Sequence, residues 1–127
     1  MPKLTSAQAF SLAQEFHDIA VELGNFRFNN WENLTTLQRR RLEDLQFDVL
    51  NDSSKLNALS ISLAVNDLQG TIDNITNATT TMKNTIRTLQ NINRAIKIAT
   101  AAVTLGAAII SMNPTAIGTA IASAINA

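Results

Sequence analysis

The chain has 127 residues, a formal net charge of zero and no cysteine. One domain is expected at this length, and disulfides, thiolate metal sites and cysteine nucleophiles are excluded. Only four glycines and two prolines interrupt a composition that is 46% hydrophobic and 5% aromatic, which favours helices.

The opening "MPKLTSAQAF" lacks an apolar core of signal-peptide length, so no Sec-type signal is expected. Thr5 or Ser6 can cap a first helix, and Thr5 with Gln8 has capping-box spacing. Ala9, Leu12, Ala13, Phe16, Ile19, Ala20 and Leu23 recur at helical period. Gly24 and Asn25 tolerate the left-handed conformation that ends a helix, so the first helix is expected over 6–23. "GNFRFNNWEN" follows, with Phe26, Phe28 and Trp31 in a short expected loop. Two readings fit it: a plug over the open end of a bundle, or an anchor at a lipid interface.

A second helix starts near Asn33 or Thr35, and Thr35 with Gln38 repeats the capping-box spacing. Leu34, Leu37, Leu42, Leu45 and Val49 supply its apolar face. Arg39, Arg40 and Arg41 are followed within two turns by Glu43, Asp44 and Asp48, the pattern of a solvated face. A nucleic-acid surface needs a wider basic area free of acids, so no nucleic-acid partner is expected. "NDSS" at 51–54 is expected to break or bend the helix.

From about Ser54 to Met112 the chain reads as one long helix. Steps of four and three from Ile61 pass through Val65, Leu68, Ile72, Ile75, Thr79, Met82, Ile86, Leu89, Asn93, Ile96, Thr100, Val103, Ala107 and Ile110. Such heptads predict a coiled-coil-like seam. At 1.5 Å per residue the helix would be roughly 80–90 Å long. Either the first two helices cover it or a second copy does, and the seam makes a homo-oligomer the expectation. Asn93 at a seam position either fixes register or faces water where the seam ends.

Charge runs in a gradient. Residues 1–52 carry five basic and eight acidic side chains, and residues 53–97 carry five basic and two acidic. Asp73 is the last acid, and Lys83, Arg87, Arg94 and Lys97 follow it. These four are candidate contacts for anionic lipid headgroups.

After Lys97 come 30 uncharged residues. Asn113 is a good N-cap and Pro114 suits a first helical position, so arms at about 98–112 and 114–126 should form a tight helical hairpin. Fifteen residues reach roughly 22 Å, short of the roughly 30 Å hydrocarbon layer. Small residues stand four apart at Ala102/Gly106, Gly118/Ala122 and Ala120/Ala124. That spacing suits close helix contact in lipid, and it equally suits the core of a soluble bundle. Candidate membrane-inserting residues are Val103, Leu105, Ile109, Ile110, Met112, Ile117, Ile121 and Ile125.

Nothing points to catalysis. His17 is the only histidine and has no second histidine or cysteine to complete a metal site. The glycines at 24, 70, 106 and 118 are isolated, so there is no phosphate loop. Glu43 and Asp44 are neighbours that diverge on a helix, whereas acid–base chemistry needs a converging pair. No enzyme activity, cofactor, metal or small-molecule substrate is expected. The Asn-X-Ser/Thr triplets at 33, 51, 74 and 77 are read as chance in an Asn- and Thr-rich chain.

The heptads 61–96 running into the uncharged hairpin 98–127 resemble the organisation of helical pore-forming toxins of the cytolysin A and haemolysin BL kind. That resemblance implies insertion of the hairpin and self-association. The fold expected is all-α: an elongated helical bundle or coiled coil over 1–97 with one very long helix, continuous with the apolar hairpin 98–127. Two functions fit it. The first is membrane association or pore formation through the hairpin. The second is a soluble oligomerisation or protein-interaction module whose Ala/Ile-rich tail is buried.

Overall fold

The computed structural model describes residues 5–58 and 68–127, with only the backbone of Leu68 described. The expected seam positions Ile61 and Val65 therefore lie outside the described residues. All secondary structure among the described residues is helical. Five α-helices occur among these residues: α1 (Ser6–Asn29), α2 (Thr36–Ala58), α3 (Leu68–Thr88), α4 (Ile92–Ser111) and α5 (Pro114–Ile125). A 3₁₀ turn at Trp31–Asn33 joins the first two.

Both capping boxes form. The Gln8 amide N–H donates to Thr5 Oγ1 at 3.1 Å while the Thr5 N–H donates to Gln8 Oε1 at 2.9 Å, and Thr35 with Gln38 repeats this at 3.1 and 2.8 Å. The first helix does not stop at Gly24 and Asn25 as expected. It runs to Asn29, because Phe26 continues the apolar stripe one turn past Leu23 and is buried. Burying an aromatic ring outweighs the roughly 1 kcal/mol helix penalty of a glycine. At Gly24 an added Cβ would meet only the amide end of the Gln46 side chain of α2, at 2.8 Å, which can swing aside. The helix ends where the Asn30 backbone and side-chain N–H groups both donate to the Phe26 carbonyl, at 3.0 and 2.9 Å.

The expected break at 51–54 is also absent. α2 passes through Asn51, Asp52, Ser53 and Ser54 to Ala58. Tertiary contacts override the poor helix propensity here: the Ser53 hydroxyl donates to the Ala13 carbonyl of α1 at 2.7 Å, and Leu56 is fully buried.

One very long helix does not form. The stretch 68–111 divides between α3 and α4 at residues 89–91, and the longest helix among the described residues is the 24-residue α1. Asn91 is the cause. Its backbone is extended, and its side chain accepts the Arg94 N–H at 3.0 Å, which makes it the N-cap of α4. The break rephases the seam. Ile75, Met82 and Ile86 are buried in the chain's own core, with Ile72 and Leu89 partly buried against it. Beyond the break, Ala95, Ile98, Ala99, Ala102, Leu105, Gly106 and Ile109 turn inward instead. The seam positions Ile96 and Val103 are only partly buried, and Asn93 and Thr100 face solvent.

The helices close into a bundle. α1 packs against α2 and α3, α2 against α4, and α5 against both α3 and α4. α4 touches all four other helices and is the centre of the core. The Ser53–Ala13 contact and the Arg27–Glu43 ion pair show that α1 and α2 are antiparallel. Thr79, Lys83 and Arg87 contact Glu15, Asp18 and Glu22 in ascending order, so α3 runs parallel to α1.

Candidate functional site

Three regions carry the residues singled out by the sequence. The first is the apolar hairpin. α4 ends with Met112 in the left-handed conformation (φ 60°), whose N–H donates to the Ile109 carbonyl at 3.0 Å. Asn113 then caps α5, accepting the Thr115 and Ala116 N–H groups at 3.0 and 3.2 Å, with Pro114 opening the helix. Of the candidate inserting residues, Leu105, Ile109 and Ile117 are buried. Val103, Ile110 and Ile121 are partly buried against the core. Met112 at the turn and Ile125 near the end of α5 are exposed.

The second region is the basic segment. Lys83 lies 3.7 Å from both Glu15 and Asp18, and the Arg87 guanidinium donates to Glu22 at 2.9 and 3.2 Å. The four charges thus separate into two pairs. Lys83 and Arg87 hold α3 to the acidic flank of α1. Arg94 and Lys97 line an open surface crevice with Asn91, Asn93, Asn126 and Ala127. The buried Thr79 hydroxyl joins the α1–α3 contact, within hydrogen-bond reach of Glu15 at 3.2 Å and of the Thr76 carbonyl at 3.0 Å.

The third region is the α1–α2 hairpin. Eight large hydrophobic side chains are exposed among the described residues, and six of them sit here: Phe10, Val21, Phe28, Trp31, Leu37 and Phe47. "GNFRFNNWEN" divides its aromatics. Phe26 enters the core, whereas Phe28 is 82% exposed. Trp31 is half-exposed under Arg39, whose guanidinium carbon stands 4.1 Å from the ring centroid and which donates to the Trp31 carbonyl at 3.0 and 2.5 Å. Phe28, Asn29, Trp31, Glu32 and Asn33 line an open crevice of about 580 Å³.

One buried polar group falls outside all of these expectations. Asp52 sits on the stripe Leu42, Leu45, Val49 and Leu56 at helical spacing and is 7% exposed. Its Oδ2 has no hydrogen-bond partner among the described residues. It packs against Gly106 of α4, where an added Cβ would stand 2.8 Å from both Cβ and Cγ of the aspartate. Burial raises its pKa from 3.8 to about 6, with Lys55 lowering it and Asp48 raising it. Its place on the apolar stripe was the available signal.

His17 is half-exposed, its Nδ1 3.8 Å from the Asp18 carboxylate. Among the described residues no group of three or more His, Cys, Asp or Glu side chains converges to hold a metal. In comparisons with known proteins, no family model, no curated protein and no solved structure matches the chain.

Proposed function

We propose that this chain is a non-catalytic helical interaction module that binds a protein partner through the outer surface of α1 and α2, with residues 98–127 serving as core. One observation carries the reading: the distribution of exposed apolar surface. Among the described residues, six of the eight exposed large hydrophobic side chains lie on α1, α2 and the turn between them, and only Met112 and Ile125 lie in the hairpin. Exposed aromatic residues that are not needed for the core are the usual anchors of protein interfaces.

A second reading, membrane association through α4 and α5, is favoured by one feature. Ile92–Ser111 is long and apolar enough to cross a membrane, by length and composition. In that reading Leu105, Ile109 and Ile117 must first leave the core, and Arg94 and Lys97 would meet the headgroups.

Flotation with anionic vesicles separates the two. The interaction-module reading expects the wild-type protein to stay in the dense fraction, and Ile109→Asp to unfold it by burying an unpaired charge. Flotation of the folded wild-type protein, abolished by Ile109→Asp without loss of helical signal, would establish membrane association instead.

A further inference from the structure

We propose that the outer face of α2 is a homodimer interface, in which two copies pair antiparallel about a two-fold axis at the level of Leu42. The proposal rests on the interaction-module reading and names its partner as a second copy of this chain.

Leu37, Arg40, Asp44 and Phe47 recur at steps of three, four and three, the spacing of a coiled-coil stripe. Leu37 is 76% exposed and Phe47 58%, and Asp44 is exposed between them with Arg40. They lie away from the buried stripe Leu42, Leu45, Val49 and Leu56, so α2 has one face for its own core and one left over.

The charges on the outer face select the occupant. Arg39 is engaged by Trp31 and Glu43 by Arg27 at 2.9 Å. Arg40, Arg41, Asp44 and Asp48 form no ion pair among the described residues. The N-terminal half of the face is therefore basic and its C-terminal half acidic. Such a surface complements its own inverse, which is what an isologous two-fold contact requires. With the axis at Leu42, residues 37 and 47 are equidistant from it, and so are 40 and 44. Leu37 then packs on the partner's Phe47 and Arg40 pairs with the partner's Asp44, each contact occurring twice. A parallel arrangement would set Arg40 against Arg40 and Asp44 against Asp44, which like-charge repulsion disfavours.

Sedimentation equilibrium on the full chain tests this with a charge-swap pair. The wild-type protein should dimerise, more tightly in about 50 mM salt than in about 500 mM, because the pairs are solvent-accessible. Arg40→Asp and Asp44→Arg each place like charges together twice and should weaken self-association at least about tenfold. An equimolar mixture of the two variants should recover a heterodimer, since every reversed residue then faces its opposite. Both changes lie on the outer face of α2, and circular dichroism checks that each variant keeps its fold. Leu37→Gln gives a second, uncharged disruption. A wild-type monomer at all concentrations overturns the dimer and leaves the buried-tail reading standing. So does a dimer that neither charge variant weakens, or variants that fail to complement. A dimer lost with Met112→Gln and Ile125→Gln but not with the α2 variants assigns association to the exposed residues of the hairpin, and overturns the α1–α2 surface as the docking site as well.

Discussion

Replacing Asp52 by asparagine should raise the stability of the bundle at neutral pH and flatten its dependence on pH. The carboxyl is held between α2 and Gly106 of α4, with one oxygen lacking a partner among the described residues. Burial disfavours its charged form and raises its pKa from 3.8 to about 6. A folded pKa above the unfolded one means that the native state holds the proton more tightly. The contribution to stability is full below pH 3.8 and is lost as pH rises through about 6. A difference of that size corresponds to about 3 kcal/mol between the protonated and ionised extremes. The amide of the Asp52→Asn variant carries no charge and keeps nearly the same shape. A gain approaching roughly 2 kcal/mol is therefore expected near neutral pH, less the cost of any unpaired amide N–H. Urea denaturation followed by circular dichroism, from about pH 4.5 to about pH 8, measures both proteins across the window in which the group titrates. Other titrating groups are common to the two, so the difference between the curves isolates residue 52. A wild-type stability that falls relative to the variant as pH rises through about 6 is expected. Parallel curves, or a variant less stable than the wild type above that pH, would refute the placement of an ionisable group in this contact.

Gly106→Ala sets a methyl 2.8 Å from Asp52 Cβ and Cγ, and thermal melting should show a loss of about 1–3 kcal/mol. Asn91→Ala removes the side-chain acceptor of the Arg94 N–H and should cost about 1 kcal/mol by urea titration. Lys83→Gln and Arg87→Gln break partly exposed pairs with Glu15, Asp18 and Glu22, so each should cost no more than about 1 kcal/mol, with smaller losses at high salt. Leu105→Ala empties a fully buried site in the central helix and should cost about 2–5 kcal/mol.

The helical class and the two capping boxes were legible because both depend on residues close in sequence. Thr5 with Gln8, Thr35 with Gln38, and Asn113 with Pro114 act within one turn, and each does what its spacing implies. The ends of helices set by tertiary contact were not legible. Gly24 and the 51–54 stretch look like stops until Phe26 and Leu56 are seen to be buried. The unbroken heptads concealed the break at Asn91, since the polar Asn93 and Thr100 were tolerated in a seam that α4 does not use. The exposed aromatic residues of α1 and α2 illustrate a further limit. Periodicity separates the buried Phe16 from the exposed Phe10, but Phe26 and Phe28 read as one loop, and which of them is buried follows only from the continuation of α1 to Asn29.

Native-state hydrogen exchange of α4 tests the central claim most directly. If residues 98–109 form the middle of the core, their amides should exchange only through global unfolding, with protection free energies matching the stability from denaturation and matching those of α1 around Phe16. Fast exchange of 98–109 through local opening, while α1 stays protected, would contradict it and show a hairpin held ready to leave the bundle.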